Sequence, residues 1–331
     1  MNDPRSILVI QLRRIGDVIL TTPAVAALKK SFPQAQIDFL VEAPGAQALE
    51  GNPHLREVIV YDAEGPIGTL SWIRKIRARR YDWVIDFLGT PRSAMVTAGS
   101  GALVKAGPAH VSHRWAYNTP LTQSDTTHYG ALEKIRVLKP LGVSSDDADF
   151  MPKLFFFKNS STARNVVGLV PASRKITRQW PAASFAQLGR LLRLRYGCEF
   201  LVFWGPGEKE LAEEVAAGIG DGARVTPETK SLKEAAELMR SCRLVVTNCN
   251  GPKHIAVALG VPTVTIHGSS DPTSWNPPHP KHLVARLDDL HCIGCGLNRC
   301  PTQIECMRDL SPERVLEKAA RLLGEPAKVA K

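Results

Sequence analysis

The chain of 331 residues contains no run of 18 or more apolar residues, so no segment is expected to cross a membrane as a helix. Its first residues, MNDPRSILVIQLRRIGD, hold a short apolar run closed by two arginines. That is too short for the apolar core of a secretory signal and reads as a first buried strand, so a cytoplasmic protein is expected. Internal repeats, low-complexity tracts and a P-loop are also missing, which removes solenoids and Walker-type nucleotide hydrolysis. Aromatics make up only 6% and do not interleave with a basic stripe, so nucleic acid is not an expected partner.

Acidic residues are in deficit, 32 against 42 basic ones, leaving a net charge of +10. Such a balance suits an anionic substrate or an anionic membrane surface. The densest basic stretch, WIRKIRARR (72–80), sets its cations at helical spacings around Trp72, Ile73 and Ile76. It reads either as a solvated helix face or as a contact with anionic lipid.

Seven cysteines are unevenly placed. Cys198 and Cys242 border apolar strands and read as buried small hydrophobes. Cys292, Cys295, Cys300 and Cys306 follow a C-x2-C-x4-C-x5-C spacing beside His291. Soft ligands at that density fit a closed structural zinc site, and a reduced thiol cluster in a surface loop is the competing reading. A disulfide framework is not expected in a cytoplasmic protein.

What the chain does contain is a regular alternation of short Val/Ile/Leu-rich runs with longer stretches of helical period. Strands are expected at 6–12, 36–42, 57–62, 81–89 and 102–107, and a second series at 165–173, 198–205, 243–248 and 262–268. This is the pattern of parallel sheets covered by helices, an α/β fold of two doubly wound domains spanning 1–160 and 161–331. The boundary falls near 155–165, and a Cys-rich loop occupies 291–307 of the second domain. Ser231 with Glu234, and Ser311 before Pro312, mark two helix starts.

Folds of this class bind ligands on loops leaving the carboxyl ends of strands, which selects residues 12–23, 89–93, 172–181 and 247–254. The first, LRRIGDVILTTP, places Asp17 after Gly16 and behind Arg13 and Arg14. Asp17 reads as a helix cap or as a carboxylate able to take a proton from an attacking hydroxyl. The second carries Arg92. The third, VPASRKITRQWP, packs Arg174, Lys175 and Arg178 beside Trp180, a suitable site for a polyanion. The fourth, TNCNGPKH, opens a helix with Gly251 and Pro252, followed by Lys253 and His254, and reads as a diphosphate cradle.

Together the blocks RRIGDVILTTPAVAALKKSFPQAQIDFLVE, IDFLGTPRSA, SRKITRQWP, TNCNGPKHIAVALGVPTVTIHGSSDP and CIGCGLNRCPTQIECM resemble glycosyltransferase family 9, the ADP-heptose:lipopolysaccharide heptosyltransferases. The resemblance covers nearly the whole chain. It implies a GT-B architecture, two Rossmann-like domains facing a central cleft, and metal-independent inverting transfer from a nucleotide sugar. An N-terminal domain would take a lipid-linked oligosaccharide acceptor, and a C-terminal domain would take the donor. By position, Asp17 matches the proposed general base, Arg178 a donor-phosphate contact and Arg92 an acceptor-side cation, with Arg13 and Arg14 beside it. Glu208 falls near an acidic residue assigned to the donor ribose, and Gly251 and His254 match the end of an Asp-Thr-Gly-x-x-His block. This chain departs from that block by carrying Cys249-Asn250 for Asp-Thr, replacing a carboxylate by a poor acceptor, with Asn250 able to donate and accept. Cys249 reads as a buried filler or a reactive thiol.

The implied reaction is a single displacement in which Asp17 deprotonates the acceptor. Arg174, Lys175, Arg178 and the 251–254 helix start would stabilise the departing diphosphate, with no cofactor required and ADP-heptose the expected donor. Peripheral contact with the cytoplasmic face of the inner membrane would suit the positive charge. Two other functions fit the same scaffold: a sugar-nucleotide epimerase, and a sugar-nucleotide-binding protein that has lost turnover.

Overall fold

The computed structural model describes residues 3–157 and 164–325. The expected boundary at 160/161 lies outside them; by its internal contacts the chain divides into Met1–Lys158 and Asn159–Lys331.

The first unit is built on strands β1 (Ser6–Ile10), β2 (Gln36–Val41), β3 (Glu57–Val60), β4 (Trp83–Asp86), β5 (Val104–Pro108) and β6 (Thr119–Leu121). They form one parallel sheet in the order β3-β2-β1-β4-β5-β6, with Ile10 of the central β1 level with Leu40 on one side and Asp86 on the other. Its helices are α1 (Ile15–Ser31), α2 (Ala43–Ala46), α3 (Gly65–Ala78), α4 (Pro91–Gly99) and α5 (Gly130–Arg136). The continuous apolar run ILVI makes β1 a strand buried on both faces. Along α1, Val18 to Val25 is buried without a break, so this helix lies inside the unit, packed against α5.

The second unit repeats the plan. Strands β7 (Arg164–Val170), β8 (Glu199–Val202), β9 (Ala223–Val225), β10 (Cys242–Asn248), β11 (Thr263–Ile266) and β12 (His282–Ala285) form a parallel sheet ordered β12-β11-β10-β7-β8-β9. Its helices are α6 (Ala182–Tyr196), α7 (Lys209–Ile219), α8 (Leu232–Arg240), α9 (Gly251–Ala258), α10 (Pro272–Trp275), α11 (Glu305–Arg308) and α12 (Pro312–Leu323). Ser231 and Ser311 cap α8 and α12 through the amides of Glu234 and Arg314, as expected from their spacing. Trp180 and Phe185 pack edge to face in the core beneath α6, and the Trp180 indole donates to the carbonyl of Leu310 at 2.9 Å.

Both sheets reverse their winding between two adjacent strands, β1/β4 in the first unit and β7/β10 in the second. Chain connections leave those strand pairs in opposite directions, which opens a crevice at the carboxyl ends. The loops after these four strands are the ones selected from the sequence. Edge strands β6, β9 and β12 were not anticipated: the first two are three residues long, and β6 contains Pro120. Among the described residues no helix is long and apolar enough to cross a membrane.

Candidate active site

At the β1/β4 crevice, Asp17 lies in the first turn of α1, half-buried behind the exposed Arg13 and Arg14. Beyond the helix ladder, its backbone carbonyl accepts from Thr21 Oγ1 at 2.7 Å, and among the described residues no donor is bonded to its carboxylate. Asp86, at the end of β4, is its opposite. It is completely buried, and its Oδ1 accepts the amides of Leu88 and Gly89 at 2.8 and 3.1 Å while Oδ2 accepts the Tyr117 hydroxyl at 2.8 Å. Burial still raises its pKa, against the pull of those bonds. Arg92 follows the Thr90 cap of α4 and lies 3.4 Å from Glu42, so part of its charge is already met.

Sequence reasoning missed one residue here. Lys134 reaches this end of the sheet from α5, donating to Gln11 Oε1 at 2.8 Å and standing 4.7 Å above the Phe87 ring. Desolvation pushes its ammonium down to about 8, while the charges of Asp17 and Asp86 pull the other way. The sequence signal was weak, because "EKIR" reads as an ordinary solvated helix face. Only the docking of α5 on α1 turns it inward.

At the β7/β10 crevice two asparagines fasten the neighbouring loops. Asn248 accepts the amide of Trp180 at 3.1 Å and donates to the carbonyl of Pro171 at 2.7 Å. Asn250 caps α9 by accepting the Lys253 amide at 3.1 Å, and donates to the carbonyl of Ala172 at 2.9 Å. The Asn250 amide group is therefore spent on structure, and Cys249 is a buried filler, 6% exposed. At Gly251 a side chain would meet nothing within 4 Å, which leaves the backbone of the helix start approachable.

Two expected contacts are corrected. Lys253 does not project from the helix start: it is fully buried, its ammonium held by the Trp275 carbonyl. His254 is buried as well, edge-on to Trp275, and desolvation holds its pKa far below the usual histidine value, so its ring is neutral. Both point inward because α9 packs its first turn against the segment around α10. Beneath that turn several nitrogens lack partners: Arg178 Nε, His254 Nδ1 and His267 Nε2 are buried without a hydrogen bond among the described residues. Arg178, Lys253 and His267 are within electrostatic reach of one another. His267, at the end of β11, accepts or donates at Ser270 Oγ 2.9 Å away, and burial and cations lower its pKa to about 3. Arg174 is exposed, Lys175 half-buried, and Glu208 accepts the amide of Gly205 at 2.9 Å at the end of β8.

The Cys-rich loop lies against these same loops. Thr177 Oγ1 donates to the carbonyl of Leu297 at 2.9 Å, and the amides of Gly294 and Gly296 donate to the carbonyls of Gly268 and Ser269 at 3.0 and 2.6 Å. All four thiols are free, Cys306 buried and Cys295 exposed. Burial and the three neighbouring thiols push Cys306 up to about 11, while hydrogen bonds from Thr302 and from the amides of Thr302 and Ile304 lower the pKa of Cys300. Among the described residues no three His, Cys, Asp or Glu side chains are grouped to hold a metal ion. Cys306 is turned into the packing around Gly268 and Met307.

Comparison with known proteins bears on what these crevices serve. Residues 69–303 match the model of a family described as glycosyltransferase family 9 (heptosyltransferase). The chain is 25% identical to lipopolysaccharide heptosyltransferase 3 of Escherichia coli, over 80% of this chain and 84% of that one. A crystal structure of a family 9 glycosyl transferase from Veillonella parvula DSM 2008 is 26% identical and superposes with a TM-score of 0.81, covering 96% of this chain and 97% of that one. E. coli heptosyltransferase WaaC with ADP-2-deoxy-2-fluoro heptose is 25% identical with a TM-score of 0.76, covering 95% and 100%. Two doubly wound units with this strand order match the GT-B fold of those enzymes, and the chain belongs to glycosyltransferase family 9 as a heptosyltransferase-like glycosyltransferase.

Proposed function

We propose that the protein transfers heptose from ADP-heptose to the core of a lipopolysaccharide or a related glycolipid, by one inverting displacement that needs no divalent metal. Asp17 takes the proton of the acceptor hydroxyl as that oxygen bonds to the anomeric carbon. The bond from that carbon to the diphosphate breaks, and ADP departs with the electron pair. A positioned base contributes about 10² to 10⁴-fold to such a step.

The observation that carries the donor half is the buried, unpartnered Nε of Arg178, a cation within electrostatic reach of the first turn of α9, where Gly251 leaves the backbone open. Buried donors without acceptors are costly, and an anion at the helix start offers the missing partner. Arg178, Arg174 and the helix N-terminus supply positive potential where the diphosphate gains charge. The donor bound to WaaC, an ADP-heptose analogue, has that chemistry.

The acceptor half rests on Asp17, with its unoccupied carboxylate, and on the outer stripe of α3. That stripe runs from Ile67 and Leu70, 87% and 49% exposed, through Ser71 to the exposed Arg74 and Arg77. Ile67 and Leu70 follow the carboxyl end of β3, the end of the sheet at which Asp17 lies. Apolar tips leading into cations suit peripheral contact with an anionic leaflet carrying a lipid-borne acceptor.

Mass spectrometry of products from a panel of nucleotide sugars and core-oligosaccharide acceptors, with and without EDTA, tests this reading. Addition of one heptose to the acceptor from ADP-heptose is expected, unaffected by EDTA, with the rate reduced at least about 10²-fold in Asp17→Asn. Equal slow donor hydrolysis in both proteins, without transfer, would return the reading to a binding protein.

A further inference from the structure

The N-terminal crevice holds an ammonium where an apolar side chain would be cheaper. Lys134 has three N–H donors, and the bond to Gln11 fills one of them. The Phe87 face is a second favourable contact but not an acceptor of comparable strength. Lys134 is half-buried, so its remaining donors are open to a further acceptor. Two carboxylates act on this ammonium, and their needs differ. Asp86 already accepts two amides and the Tyr117 hydroxyl, with Ser93 a further partner. Asp17 has no bonded donor among the described residues, so it is the carboxylate with acceptor capacity to offer.

We infer that Lys134 is the positioning residue of Asp17, holding that carboxylate ionised at the β1/β4 crevice when an acceptor covers it. The need arises from the proposed reaction, on which this inference rests. An acceptor seated over Asp17 strips water from it, and desolvation alone would favour the protonated acid, which cannot accept a proton. A fixed ammonium nearby opposes that change. The remaining charged groups around Lys134 are otherwise engaged: Glu133 on α5 accepts from Ser124, Arg136 contacts His128, Glu42 pairs with Arg92, and Arg13 and Arg14 are exposed. On α1, Lys29 is bound to the carbonyl of Ala35 far from the crevice end.

Coupling between two titrating groups is reciprocal, which allows a test without any substrate. The full chain labelled with 13C at lysine Cε gives a Lys134 signal, assigned by its loss in Lys134→Arg, whose titration is followed from pH 6 to 11. In the unsubstituted protein the midpoint is expected near 8. In Asp17→Asn it is expected to fall by about one pH unit or more, as the carboxylate without other donors is removed. In transfer assays, the acid limb of kcat is expected to move up by about the same amount in Lys134→Met and to return in Lys134→Arg. A Lys134 midpoint unmoved by Asp17→Asn but moved by Asp86→Asn overturns the inference, since Lys134 would then serve Asp86 alone. Should no heptose transfer be found, the proposed function fails while the titration still decides the pairing.

Discussion

The side-chain amide of Asn250 donates to the carbonyl of Ala172 at 2.9 Å, so the residue that starts α9 also fastens the loop leaving β7. Position 250 is thus a structural joint of the second unit. Asn250→Ala removes both the cap and the joint, and a loss of about 1 to 3 kcal/mol is expected in denaturant unfolding. Asn250→Asp keeps the cap and loses the donated bond, so it should fall between the two.

Arg178 and Lys253 both carry charge near the helix start, and they separate by what they touch. Arg178→Met should lower ADP affinity about tenfold to a hundredfold in calorimetry with little change in Tm, because a charge-assisted contact is lost. Lys253→Met should act mainly on Tm, with an affinity change of less than about tenfold, because that ammonium is committed to the Trp275 carbonyl.

Three buried histidines give the second unit an acid sensitivity. His254 lies far below the usual range, His267 at about 3 and His282 at about 4, all chiefly through desolvation. Their folded values are depressed, so between about pH 6.5 and 4 the unfolded chain binds protons that the native state refuses. Stability should therefore fall as pH drops through that window, each such proton tilting it by about 1.4 kcal/mol per pH unit. Urea unfolding at pH 7, 6 and 5 checks the sign, and His282→Gln should reduce the slope.

Tyr117 is held between Gly107 and Asp86. A Cβ at Gly107 would come within 2.3 Å of the Tyr117 ring, which cannot yield without moving its hydroxyl from Asp86. Gly107→Ala should cost about 1 to 3 kcal/mol. Tyr117→Phe should cost a similar amount by leaving a buried carboxylate oxygen short of a donor. The double variant should cost less than the sum, because both act on the same bond.

Most of the architecture was legible in the sequence because buried parallel strands announce themselves as unbroken Val/Ile/Leu runs, as in ILVI and LVVTN. The edge strands Thr119–Leu121 and Ala223–Val225 were not, since three residues give no period to detect. Within the crevices, the loops carrying Asp17, Arg92, Arg178 and Gly251 followed from the rule for doubly wound sheets. The side-chain directions did not follow. Lys253 and His254 looked like ligands for phosphate because a helix start attracts anions, yet their rotation about α9 turns them into the core. Lys134 was overlooked for the converse reason, a charged residue on an exposed-looking helix that tertiary packing carries inside.

Because Asn248, Asn250 and Thr177 tie the loops after β7, β10 and β11 to one another and to the Cys-rich segment, this end of the second sheet forms a single hydrogen-bonded plate. A ligand arriving there would have little loop entropy to quench. Whatever rearrangement accompanies turnover must then be sought in parts of the chain outside that plate.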